Sequence, residues 1–102
     1  MARRKKMPPL HPSEVLYEDF IVPTGISIHR LAMDLRVPAN RIAEIVKGER
    51  TISADTALRL ARYLGTSAEF WLGLQSDYEL EKAKDELTAR IAREVRPRKR
   101  AA

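Results

Sequence analysis

Asn40, Ala43, Glu44 and Lys47 carry the most specific chemistry in the sequence. At about 100° per residue of an α-helix they fall together on one side, with Arg41 on the flank and Ile42, Ile45 and Val46 opposite. The set offers a carboxamide, a small apolar group, a carboxylate and an ammonium. A carboxamide can pair with adenine N6 and N7, and a carboxylate can accept from cytosine N4. A cation nearby can meet a phosphate. This is chemistry for the major groove of a duplex. The same face also suits the solvated side of a helical hairpin in an ordinary bundle, and spacing alone does not choose between them.

Such a face has to be held by a neighbouring element, and the stretch from Ile28 to Arg50 provides one. Ile28, Leu31, Ala32 and Leu35 repeat at helical spacing, and Ser27 stands before them as an N-cap. The break falls at Arg36-Val37-Pro38, because a residue before proline is pushed out of the α region. Proline fits the first position of the second helix, where its missing N–H would be unpaired anyway. That helix is expected to run to about Lys47, with Gly48 as a left-handed C-cap. Two short helices, a tight turn and an outward polar face make the layout of a helix-turn-helix, whose second helix does the reading.

Charge supports a polyanionic partner. The formal net charge is +5, but Arg3, Arg4, Lys5 and Lys6 crowd one end, and Arg96, Arg98, Lys99 and Arg100 the other. The segment 7–95 between them is net acidic, whereas residues 28–50 within it are net basic through Arg30, Arg36, Arg41, Lys47 and Arg50. Positive charge thus gathers in the tails and in the helix pair. At 102 residues the chain makes one small domain. It is expected to divide into a flexible basic arm over 1–12, a folded body over 13–95 and a disordered basic tail over 96–102.

The rest of the body reads as helices. Ser13 is expected to cap a helix from Glu14 to about Ile21, with Leu16/Phe20 and Tyr17/Ile21 inside and Pro23 and Gly25 ending it. After the central pair, Ser53 caps ADTALRLARYL, with Ala57, Leu58, Ala61 and Leu64 as its buried stripe and Gly65 as its stop. Ser67 caps a fifth helix, AEFWLGLQ, in which Phe70 and Trp71 read as core. A separate charged helix is expected from Asp77 to about Val95. Along it Leu80, Ala83, Leu87, Ile91 and Val95 form a narrow apolar seam, too thin to bury much alone and better suited to a second copy of the chain.

Several functions find no support. Cysteine is absent, which excludes disulfides and thiolate metal sites and fits a reducing compartment. His11 and His29 have no Cys or paired carboxylate at ligand spacing, so no metal or other cofactor is expected. The basic start runs into MPPLHP rather than an apolar stretch, so it does not read as a signal peptide. No apolar run approaches the ~20 residues needed to span a bilayer. No nucleophile–base pair or phosphate-cradling loop points to an enzyme.

From Leu10 to Leu80 the chain closely resembles the HigA (VapI-like) antitoxins, a branch of the Xre/Cro-type helix-turn-helix proteins. The resemblance is carried by LHPSEVLYEDF at 10–20, NRIAEIVKGER at 40–50 and TISADTALRLARYLGTSAEFWLGLQSDYEL at 51–80. It implies an all-α fold, a five-helix lambda-repressor-like domain followed here by a longer C-terminal helix. It implies a cytoplasmic homodimer that binds an inverted repeat in double-stranded DNA at its own promoter. It further implies a HigB-type toxin as partner, one that cleaves mRNA on the ribosome. Carried over by position, base contacts would come from Ala39, Asn40, Ala43 and Glu44. Phosphate contacts would fall on Ser27, Arg41, Lys47, Arg50 and Thr51, and the dimer seam on Leu80, Leu87 and Ile91. Two positions depart from the family pattern. The turn usually holds a glycine with positive φ, and here it is Arg36, at a cost on the order of 1 kcal/mol, so the turn should be strained or differently shaped. Position 38 is often serine or threonine, and Pro38 cannot donate to a phosphate. Two alternatives follow: a solitary Xre-family transcriptional regulator with no toxin, and a toxin inhibitor whose DNA binding is weak.

Overall fold

A computed structural model describes residues 10–99. Among these the chain is all-helical, in five helices. The first, α1, is one continuous run of Pro12–Glu14, Val15–Ile21 and Val22–Thr24. It is followed by α2 (Ile28–Leu35), α3 (Ala39–Val46), α4 (Ala54–Leu64) and α5 (Ala68–Glu94). The greater part of the basic arm, residues 1–9, and the last three tail residues lie outside the described residues. Arg96–Lys99, beyond α5, are exposed and without regular structure.

The start of α1 differs from expectation. Its N-cap is His11 rather than Ser13, with ring Nδ1 accepting from the Ser13 N–H at 3.1 Å. Pro12 can then take the first helical position, where it costs no hydrogen bond. The His11 ring meets Tyr78 of α5 edge-on, with centroids 4.6 Å apart. Val15–Ile21 is π-helical, closed by the Val22 N–H on the Tyr17 carbonyl. A π turn pairs residues five apart rather than four. Leu16 and Ile21 are therefore buried together, whereas Tyr17, expected inside, is exposed and Phe20 only half-buried. The run passes through Pro23 and stops at Gly25, which is left-handed.

The core takes side chains from every element: Leu16 and Ile21 from α1, Leu31, Ala32 and Leu35 from α2, Ile42 and Ile45 from α3. Ala57 and Leu60 join from α4, Trp71 from α5 and Ile52 from the α3–α4 connection. Ser27, Ser53 and Ser67 cap as expected, each hydroxyl accepting the N–H three residues on. The stripe of α4 is rotated from the expected one. Thr56, Ala57 and Leu60 are buried with Ala61 and Leu64 half-buried, and Leu58 is 62% exposed. Ala57, Leu60, Ala61 and Leu64 keep the i, i+3, i+4, i+7 spacing, which Leu58 interrupts.

The two helices expected after Gly65 are one. α5 runs unbroken for 27 residues, so Asp77 begins nothing. Trp71 is fully buried, and its Nε1–H donates to Thr66 Oγ1 at 2.7 Å. Phe70 packs edge-on to it but remains 40% exposed. Farther along, Leu80, Leu87, Ile91 and Val95 are all exposed.

Candidate nucleic-acid interface

α3 reaches its place through a turn that stores strain. The sequence left two outcomes open for Arg36, and the backbone takes the strained one, at φ 63° and ψ 46°. Its N–H donates to the Met33 carbonyl at 3.1 Å and that of Val37 to Ala32 at 3.0 Å. This closure is the one glycine usually serves. Pro38 is the N-cap of α3 rather than its first helical residue, at ψ 142°, and offers no side-chain acceptor. A proline there still forces the extended entry, because the preceding residue cannot be helical. At the far end Gly48, φ 78°, makes the same closure without strain, with the Glu49 N–H on the Glu44 carbonyl at 2.8 Å.

Held at both ends, α3 buries Ile42 and Ile45 and half-buries Val46. Ala39, Asn40 and Lys47 are exposed on the other side, and Arg41, Ala43 and Glu44 are half-buried. The ion pairs differ from the i, i+3 pair that Arg41 and Glu44 could have formed. Glu44 takes Arg50 at 2.8 Å, and Arg41 lies 3.7 Å from Asp55, which also holds Arg59 at 3.1 Å. All of these are solvent-accessible pairs, worth about 0–1 kcal/mol each and easily exchanged. Ser27 Oγ accepts from the Arg30 N–H at 2.9 Å, and its hydroxyl keeps a donor for a further partner. Thr51 and Arg50 are exposed on the α3–α4 connection. The structure thus brings the sequence-selected groups Ala39, Asn40, Ala43, Glu44, Arg41, Lys47, Arg50 and Thr51 onto α3 and the segment after it. Ser27 stands at the start of α2, Leu80 and Ile91 lie on α5, and Leu87 of α5 borders one cavity with Arg50 and Thr51.

Beside the turn, Tyr63 of α4 donates its phenol to Asp34 of α2. That hydrogen bond lowers the Asp34 carboxyl below its ordinary range, aided by Arg30, and raises the Tyr63 phenol. Arg59 Nη1 donates to the Leu35 carbonyl at 3.0 Å, so α4 secures the end of α2 at two points. Gln75, which sequence reasoning did not single out, bonds both backbone groups of Ile52. Its one sequence signal is a position four residues after Trp71 on the same helix face. Among the described residues no cluster of His, Cys, Asp or Glu could hold a metal, and no helix is long and apolar enough to cross a membrane.

Comparison with known proteins agrees with this geometry. Residues 22–71, from the end of α1 through Trp71, match the family model described as Helix-turn-helix. The chain is 47% identical to virulence-associated protein I of Dichelobacter nodosus over 83% of its own length and 79% of that relative's. It superposes with TM-score 0.82 on an addiction module antidote protein of the HigA family from Coxiella burnetii, at 43% identity, covering 90% of this chain and 100% of that one. The Pseudomonas aeruginosa antitoxin HigA, solved with the higBA promoter, gives TM-score 0.82 at 44% identity over 87% of this chain and 97% of that one. The chain belongs to the HigA and VapI family of helix-turn-helix proteins, which is not a class of enzymes.

Proposed function

We propose that the chain is the DNA-reading antitoxin of a HigB/HigA-type module in the cytoplasm. Two copies bind an inverted repeat at their own promoter, repress the operon and hold a HigB-type toxin. The observation that carries this reading is the outward face of α3. Asn40 is exposed in its first turn, where a recognition helix meets base edges. Its neighbours on that face are the small Ala39 and Ala43 and the carboxylate of Glu44, which can accept from cytosine N4. The HigA of Pseudomonas aeruginosa solved with the higBA promoter, similar over most of the chain, supports the same direction.

In this reading Ala39, Asn40, Ala43 and Glu44 face the bases. Ser27, Arg41, Lys47, Arg50 and Thr51 meet phosphates. Arg41 and Arg50 leave weak surface pairs to do so, at a cost that a phosphate recovers. Copies pair through Leu80, Leu87 and Ile91, which sets the two α3 helices about 34–36 Å apart, one turn of B-DNA. Support for that pairing comes from the helix itself. Gln75, Tyr78 and Lys82 lie within about 40° of Trp71 around α5, while Leu80, Leu87 and Ile91 lie about 160–200° away. The seam thus lies on the side of α5 opposite Trp71 and is exposed there, with Leu87 also bordering a cleft shared with His11 and Gly48. The basic arm and tail add affinity for any duplex without reading sequence.

The test combines a gel shift on the inverted repeat upstream of the gene with co-purification of the product of the adjoining reading frame. The module requires both a shift and a retained toxin. A shift without a toxin leaves a solitary Xre-type regulator. A retained toxin without a shift leaves an inhibitor, and the absence of both removes the reading.

A further inference from the structure

Ile52 is the first buried residue after α3, with its side chain 3% exposed in the core. Its backbone N–H and C=O sit beside that core and need partners there. Both are supplied by one side chain from α5. Gln75 Oε1 accepts from the Ile52 N–H at 2.6 Å, and Gln75 Nε2–H donates to the Ile52 carbonyl at 3.0 Å. A carboxamide bonded to both groups of one residue fixes that residue's position and its direction. At the other end of the connection, the Gly48 N–H closes on the Ile45 carbonyl at 3.0 Å and that of Glu49 on Glu44 at 2.8 Å. Arg50 and Thr51 lie between these two fixed points with exposed side chains.

We infer that Gln75 is a positioning residue for DNA binding: from α5 it holds the Arg50–Thr51 segment where those side chains meet the duplex backbone. The inference rests on the DNA-reading function proposed above. Packing alone would be served by an apolar side chain four residues after Trp71. The amide instead spends both its hydrogen-bonding ends on the backbone adjoining two phosphate-contact candidates. Since α5 also carries the seam on its opposite side, the rod that would join two copies also sets the loop.

The experiment replaces Gln75 by methionine, of similar length but without the amide, and titrates DNA binding with salt. The probes are a duplex selected from a random pool by the unaltered chain and a scrambled duplex of the same composition. Thr66→Val serves as the control, since it removes the Trp71 hydrogen bond and leaves the Gln75 bonds to Ile52 untouched. Gln75→Met is expected to speed exchange of the Ile52 amide at least about tenfold and to lower the salt slope by about one per half-site on both duplexes. The preference for the selected duplex should change less than about twofold, because α3 still reads it. Thr66→Val should leave the slope unchanged. If Gln75→Met does not fold, Gln75→Asn keeps a neutral amide that is one methylene too short to hold both Ile52 groups, and should show the same changes at smaller size. Faster Ile52 exchange with an unaltered slope would overturn the inference, because the clamp would then be structural only. An unaltered chain that selects no duplex at all would remove the DNA-reading function first, and the inference with it.

Discussion

The first and second halves of α5 differ in which side of the helix carries the large apolar groups. Up to Tyr78 the rod is oriented by Trp71, fully buried against α1 and α4, with Gln75 and Tyr78 turned the same way. Beyond it, Leu80, Leu87 and Ile91 stand on the far side at 54%, 37% and 47% exposure. The backbone does not register the change, since the helix is continuous from Ala68 to Glu94. Helical continuity and continuity of the apolar stripe are therefore separate properties. The backbone follows local propensity, and the stripe follows whatever each half packs against. Here one half closes the domain and the other leaves Leu80, Leu87 and Ile91 exposed.

Three variants would break or sharpen that contrast, with falling effect. Trp71→Ala should cost about 3–5 kcal/mol, most of what a domain this small possesses, and denaturant titration should show it largely unfolded. A cooperative transition near the original midpoint would mean that the first half does not close the core. Leu87→Lys combined with Ile91→Lys should abolish self-association while leaving the thermal transition of the monomer nearly in place, because neither side chain enters the core. Sedimentation at micromolar concentration reads the first effect and calorimetry the second. An unchanged mass would mean that Leu87 and Ile91 do not join two copies. Gly73→Ala is the smallest. Gly73 lies inside the helix with open space where a Cβ would go. Alanine there should stabilise the fold by roughly 0.5–1 kcal/mol. A loss of stability instead would show that the rod bends or breaks near Gly73.

The same separation explains what the sequence revealed. Helix ends are local chemistry, so Ser27, Ser53, Ser67, Gly25, Gly48 and Gly65 could be placed from their neighbours alone. Periodicity follows only the apolar stripe, which changes sides near Asp77, so it does not show that the rod is one helix from Ala68 to Glu94. The π segment of α1 was hidden for a related reason: its period depends on backbone bonds, and Leu16–Ile21 replaces the expected Tyr17–Ile21 pair. His11 takes the cap in place of Ser13 through a local bond to the Ser13 N–H, and its ring also meets Tyr78 far along the chain. On α3 the inward residues Ile42 and Ile45 and the outward Asn40 and Lys47 were legible from the wheel. The partners of Arg41 and Glu44 were not, because Asp55 and Arg50 arrive through tertiary folding. Gln75 belongs to the same class, reaching Ile52 across 23 positions. Arg36 was legible as an exception, and the structure shows the strain it accepts.

The central claim is that α3 reads sequence through its entry end and meets phosphate at its exit, and one pair of variants tests it. Asn40 and Lys47 are both exposed, so alanine at either should disturb folding little. The measurement is a salt titration of binding to the upstream inverted repeat and to a scrambled duplex. Asn40→Ala should lose roughly 1–3 kcal/mol per half-site on the repeat and almost nothing on the scrambled duplex. Lys47→Ala should weaken both alike and lower the salt slope by about one per half-site. Equal weakening of both duplexes by Asn40→Ala would contradict the claim, leaving α3 as a surface that holds DNA without reading it.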